Sequence, residues 1–160
     1  PHTLAIIGGD VNAAPEQMNA ELVRLQAQAR DLGISDLILF LGKRSQDSLP
    51  YYYSAAEVLV MPSHYESFGM VALEAMAGGT PVVASQVGGL AFLVQDGETG
   101  YVVPDGEPEI LADRLRTLLS QPELRHKLGA QAAQYARHYA WPEIARRVMD
   151  VYSQLLAKPD

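Results

Sequence analysis

Two glutamates, Glu66 and Glu74, stand on either side of Ser67-Phe68-Gly69 in a stretch that is otherwise almost wholly apolar, residues 58–79. From Phe68 to Gly79 the only charged side chain is Glu74. A helical turn of about 100° per residue places it inside the arc of Met70, Val71, Leu73 and Ala77. An unpaired carboxylate on so apolar a helix is very costly to bury, so Glu74 needs a partner. Two kinds of partner fit. One is an Arg or Lys in a core salt bridge; the other is a ribose, whose two hydroxyls can both donate to one carboxylate. Glu66 lies just ahead of the helix, where Gly69 allows close backbone approach. The free N–H groups of Phe68, Gly69, Met70 and Val71 would form an anion site favoured by the helix dipole, with phosphate the obvious ligand. The plainer alternative is an ordinary helix start capped by Ser67.

The elements that must position these residues follow from periodicity. Residues 58–61, rich in β-branched side chains and ended by Pro62-Ser63, read as a strand covered on both faces; residues 68–77 read as the helix after it, stopped by Gly78-Gly79 and Thr80-Pro81. Residues 3–7 read as a buried strand running into Gly8-Gly9. Residues 16–32 read as a helix with Met18, Leu22, Leu25, Ala29 and Leu32 on one face. Residues 37–42 predict a strand, 46–56 a helix, 81–85 a strand and 101–103 a last small strand. Helices are expected over 107–119, 122–139 and 141–156. The separations are too long for hairpins and suit helical crossovers. The fold class is therefore α/β, a doubly wound and mainly parallel Rossmann-like sheet, with residues 1–160 forming one domain. In such a sheet ligands bind at the carboxyl ends of the strands, where Glu66 to Gly69 fall.

Composition narrows the partners. At 160 residues and 48% hydrophobic content the chain can bury a sizeable core. A net charge of −7 argues against nucleic acid, and no apolar run approaches the ~20 residues of a membrane span. With no cysteine, and four histidines (His2, His64, His126, His138) without metal-ligand spacing, no metal site is expected. The absence of cysteine fits a cytoplasmic location. Three further features have plain readings: His64 a solvated loop histidine, Gly88-Gly89 a tight turn, with a border to a bound phosphate as its alternative, and Asp96-Gly97 with Thr99-Gly100 structural turns.

Glu66-x7-Glu74 around Phe68-Gly69, the run Glu74-Ala-Met-Ala-Gly-Gly-Thr-Pro-Val-Val-Ala, Val87-Gly-Gly-Leu and Asp96-Gly-Glu-Thr-Gly-Tyr-Val-Val-Pro closely resemble the donor-binding C-terminal half of family-4 (group 1) retaining glycosyltransferases of GT-B fold. Gly8-Gly9-Asp10, Leu32-Gly-Ile, Phe40-Leu-Gly, Tyr52-Tyr-Ser-Ala-Ala and the terminal Tyr-Ala-Trp match as well. The run is most like the sucrose-phosphate synthase and sucrose synthase branches. The resemblance implies transfer of a hexose from a nucleotide diphosphate sugar, UDP-linked by preference, with no separate cofactor. Glu74 would bind the ribose. Glu66, as the catalytic residue, would hold donor-sugar hydroxyls together with Ser67 and the backbone of Phe68 and Gly69. The N–H groups of Met70 and Val71 would meet the diphosphate, and Lys43 and Arg44 the base. For that pair the alternative is two solvated loop cations.

The family places an Arg and Lys pair after the first strand of this half, and the resemblance puts that strand ahead of residue 1. The expectation is a weakly donor-binding, inactive and marginally stable fragment, whose acceptor, a sugar or sugar phosphate, is bound mainly by the N-terminal half. In the sheet order 3-2-1-4-5-6 the absent strand would leave two strands without a neighbour, which either close up or receive a segment from outside. Two other readings compete: a non-catalytic nucleotide-binding module, and a sugar-nucleotide epimerase of similar fold.

Overall fold

The first apolar run forms strand β1 (Leu4–Ile7), which pairs in parallel with β2 (Ile38–Gly42) after a crossover through helix α1 (Ala20–Asp31). In this computed structural model residues 2–11 and 19–156 are described. The chain divides into two compact units, Pro1–Leu49 and Pro50–Asp160. In the first, Leu4 lies opposite Ile38 and Ile6 opposite Phe40, and the register shifts before Ile7. Helix α1 is capped by Asn19, whose side-chain oxygen accepts from the Glu21 N–H at 2.8 Å. The helix predicted from Glu16 has its first turn, with Met18, outside the described residues. Of its apolar face Leu22 and Ala29 are buried, whereas Leu32 has become the exposed C-cap. Strand β1 is less buried than its composition predicts, with Leu4 at 49% exposure.

The second unit holds all but the first residue of α2 (Leu49–Ala55), then β3 (Leu59–Met61), α3 (Met70–Ala77), β4 (Val82–Ser85), α4 (Leu90–Leu93) and β5 (Gly100–Val103). Its ladder is β3-β4-β5, parallel throughout, with Val82 opposite both Leu59 and Gly100. Every residue of the central strand β4 is buried, as a parallel strand covered on both faces must be. In the order 3-2-1-4-5-6 the two ladders supply the runs 3-2 and 4-5-6.

Helices α5 (Pro108–Ser120) and α6 (Pro122–Ala136) each begin on a proline, whose missing N–H costs nothing in a first turn. Their Leu118 and Leu128 join Val83 and Val103 in one core cluster. Arg125 of α6, only 12% exposed, donates to the Leu118 carbonyl at 2.9 Å and pairs with Glu57 at 2.9 Å. Helix α6 sits on the end of α3: a Cβ on Gly129 would lie 2.1 Å from the Gly79 carbonyl oxygen, so only glycine fits. A 3-10 turn, Arg137–Tyr139, leads into α7 (Trp141–Leu156). The predicted helix there forms, but its apolar side chains Val148, Met149, Tyr152 and Leu155 are exposed among the described residues. No helix of the described residues is long and apolar enough to cross a membrane.

Candidate functional site: the loop before α3

Seven of the nine residues that the sequence singles out lie on one segment of the second unit, the β3–α3 loop and the first turns of α3; Lys43 and Arg44 follow β2 in the first unit. Both of those cations are exposed, and the Arg44 Nη1 donates to the Lys43 carbonyl at 3.1 Å.

Helix α3 starts two residues later than predicted. Its N-cap is Gly69, held at φ 100°, with no side-chain cap. Ser67 does not cap it. A side chain would strain that left-handed backbone, and a Cβ there would lie 2.7 Å from Leu90. The first bond across the cap runs from the Leu73 N–H to the Gly69 carbonyl at 3.0 Å, so the N–H groups of Met70 and Val71 precede it and point out of the helix start. Two of the other N–H groups assigned to a ligand are taken by the protein itself. Glu66 Oε1 accepts from Phe68 N–H at 3.3 Å and from Gly69 N–H at 3.2 Å. Its other oxygen, Oε2, makes no hydrogen bond among the described residues. The loop thus presents one bound and one open carboxylate oxygen.

Gly88-Gly89, read as a tight turn, is the seat of this loop. The Gly89 N–H donates to the Glu66 carbonyl at 2.9 Å. A Cβ on Gly88 would stand 1.9 Å from that same oxygen, and one on Gly89 would stand 2.4 Å from Phe68 Cα. The turn before α4 is glycine because two stretches of backbone meet there.

Glu74 is the fifth residue of α3, just over one turn in. The buried face of the helix is Ala72, Ala75 and Met76. Met70 and Val71 are 56% and 42% exposed, so the arc that carries Glu74 is the more open one and no core salt bridge is imposed by burial. One partner of its carboxylate is Tyr53, a buried residue of α2, whose hydroxyl donates to Oε2 at 2.9 Å. Burial first, then the hydrogen bond to Glu74 and its charge, push the Tyr53 phenol up to about 12. The Tyr139 phenol is raised as well, chiefly by its hydrogen bond with Tyr135. Alkaline titration followed by tyrosinate absorbance is expected to show Tyr53 ionising near pH 12 in the same late step as Tyr139, and Tyr53→Phe to reduce that step to the Tyr139 part alone. Because the folded value lies above the ordinary ~10, the stability it contributes is complete below pH ~10 and is lost as pH rises towards 12. A Tyr53 that ionises with the exposed tyrosines would mean that neither its burial nor its bond to Glu74 holds in solution.

Two neighbours of the loop were not legible. His64 is 85% exposed yet paired, its Nδ1 lying 2.8 Å from Asp105 Oδ1 across the strand ends. Phe68 meets Tyr139 edge to face, with ring centroids 5.6 Å apart. Among the described residues no group of three or more His, Asp or Glu could hold a metal ion.

The comparisons with known proteins fit this arrangement. The family model of glycosyl transferases group 1 matches residues 2–135. A Frankia alni protein named D-inositol 3-phosphate glycosyltransferase is 46% identical over 155 residues, 97% of this chain and 37% of its own. A Corynebacterium urealyticum protein of the same name is 39% identical over the whole chain and 37% of its own length. Among solved structures, sucrose-phosphate synthase from Thermosynechococcus elongatus superposes with a TM-score of 0.83 at 38% identity, over 97% of this chain and 39% of that one. Anabaena HepE, solved with UDP and glucose, gives 0.82 at 27% identity, over 95% and 40%. The chain thus spans less than half the length of these relatives. On the matched residues and the Rossmann-like half of a GT-B fold, the chain belongs to the group 1 glycosyl transferases.

Proposed function

We propose that the protein carrying this chain transfers a hexose from a UDP-sugar to a hydroxyl of a phosphorylated polyol or sugar, with retention at the anomeric carbon, and that residues 1–160 are its donor-binding domain. The observation that carries the reading is the loop before α3, where Glu66 has one oxygen tied to the Phe68 and Gly69 N–H groups and the other open. A donor-sugar hydroxyl donates to Oε2 of Glu66. The diphosphate meets the N–H groups of Met70 and Val71, and the ribose hydroxyls donate to Glu74. As the bond from the anomeric carbon to the diphosphate breaks, carbon gains oxocarbenium character and the departing oxygen gains negative charge. The start of α3 stabilises that charge by ~0.3–2 kcal/mol, cations outside this segment supplying the rest.

The donor assignment is supported by HepE, which was solved with UDP and glucose. For the acceptor, the relatives named for D-inositol 3-phosphate and for sucrose-phosphate support a phosphorylated polyhydroxy compound. The test is the full-length protein with UDP-glucose and other UDP-hexoses against inositol 3-phosphate and fructose phosphate, the product anomer being read by NMR. Transfer with the donor's α configuration kept is expected. Inversion would overturn retention; interconversion of the UDP-sugar without acceptor would favour the epimerase, and binding without turnover a nucleotide-binding module.

A further inference from the structure

Tyr53 is apolar in most of its surface and 7% exposed, yet both of its polar ends are committed to α3 and the turn that follows it. Its hydroxyl donates to Glu74 Oε2 at 2.9 Å. Its carbonyl accepts from Thr80 Oγ1 at 2.6 Å, and Thr80 is itself 3% exposed. The Thr80 N–H in turn donates to the Ala75 carbonyl of α3 at 3.0 Å. The result is a closed circuit: α3 through Ala75 to Thr80, Thr80 to Tyr53 on α2, and Tyr53 back to Glu74 on α3. A buried hydroxyl must find an acceptor. Tyr53 finds it on the one glutamate of α3, not on a nearby carbonyl.

We infer that Tyr53 is a positioning residue for Glu74, holding the carboxylate through the Thr80–Tyr53–Glu74 circuit so that it meets a vicinal diol without first losing rotamer freedom. The inference rests on the proposed ribose contact of Glu74. A flexible glutamate on the open face of a helix would have to be ordered by its ligand, at a cost in affinity. Here the side chain is ordered beforehand by a group that lies beneath it. The raised Tyr53 phenol keeps the donor proton in place throughout the neutral range. Each carboxylate oxygen has two lone pairs, so the bond from Tyr53 does not by itself use up the acceptor capacity of Oε2.

The test compares binding of UDP and 2′-deoxy-UDP by the full-length protein, with GDP and ADP pairs alongside. If Glu74 accepts from the diol, the parent binds the ribonucleotide about tenfold more tightly than its deoxy counterpart, and Glu74→Ala brings the ratio to about one. Tyr53→Phe keeps the ring and removes only the donor. It is expected to weaken UDP about three- to tenfold and 2′-deoxy-UDP, which keeps its 3′-hydroxyl, by a smaller factor, so that the ratio falls, and to add nothing to Glu74→Ala in the double variant. A role in folding alone would lower both affinities alike and leave the ratio unchanged, which would overturn the inference. So would a Tyr53→Phe protein that binds both as the parent does. If the parent does not discriminate, if no nucleotide binds, or if Glu74→Ala keeps the ratio, the ribose reading itself fails and the inference with it. Should Tyr53→Phe lose its cooperative melt, Thr80→Val carries the test. It leaves the phenol but frees its backbone anchor, with an expected fall in the ratio of at least twofold; an unchanged ratio overturns the inference.

Discussion

Replacing Glu66 by glutamine in the full-length protein is expected to lower kcat/KM for sugar transfer by about 10–100-fold while leaving the melting temperature within a few degrees of the parent. The two oxygens of this carboxylate do different work. Oε1 accepts from the Phe68 and Gly69 N–H groups, and an amide oxygen can still do that. Oε2 is open, and glutamine replaces it with an NH2 group that cannot accept. A hydrogen bond from a hydroxyl to a charged acceptor contributes about 1.5–3 kcal/mol, which is the loss stated above. Glu66→Ala removes the loop brace as well and is expected to cost about 10²–10³-fold, the range seen when a group aimed at a transition state is deleted. A Gln variant with parental transfer activity would remove Glu66 from contact with the sugar.

Gly88→Ala is expected to be among the most disruptive single methyls in the second unit. Its Cβ would need to stand 1.9 Å from the Glu66 carbonyl oxygen, and the residue's own φ is +43°. Both obstacles are backbone, so no side chain can rotate away to make room. Overpacking costs ~1–3 kcal/mol and the left-handed conformation ~1–2 kcal/mol, for a total of ~2–5 kcal/mol read as a lower denaturation midpoint. The only cheap relief is to move the 66–68 loop off its seat, which displaces Glu66. Transfer should therefore fall more than the stability loss alone explains, even at temperatures where the variant is fully folded. Gly97→Ala provides the control: its φ is +73° but nothing lies within 4 Å of its Cβ, so it carries the conformational cost without the clash. Equal effects from the two variants would show that the contact with Glu66 is unimportant.

Much of this site was legible in the chain because it is local. The strand, loop and helix around Glu66 and Glu74 follow from an apolar run, a proline stop, a glycine and a glycine pair, all within about twenty residues. The β4 run was legible for the same reason, since a strand covered on both faces has no polar side to hide. The helix start was misplaced by two residues because Ser67 has the composition of a cap, whereas the left-handed turn at Gly69 decides where helical backbone begins. The family, too, follows from residue types at fixed spacing, and the match over residues 2–135 agrees with that reading.

Tertiary structure decided what each residue is bonded to. The periodicity of α3 placed Glu74 among apolar side chains, but only packing shows which arc is covered, and the covered one is Ala72, Ala75 and Met76. Its partner Tyr53 lies 21 residues away on another helix, and nothing in the spacing connects them. Glu66 was assigned to a ligand, and it does keep one oxygen open, yet its other oxygen occupies N–H groups that had been left to the donor. Gly88 and Gly89 are the clearest case. A glycine pair reads the same in sequence whether the chain turns or another backbone lies against it, because the missing side chain marks the need for space and does not say what fills it.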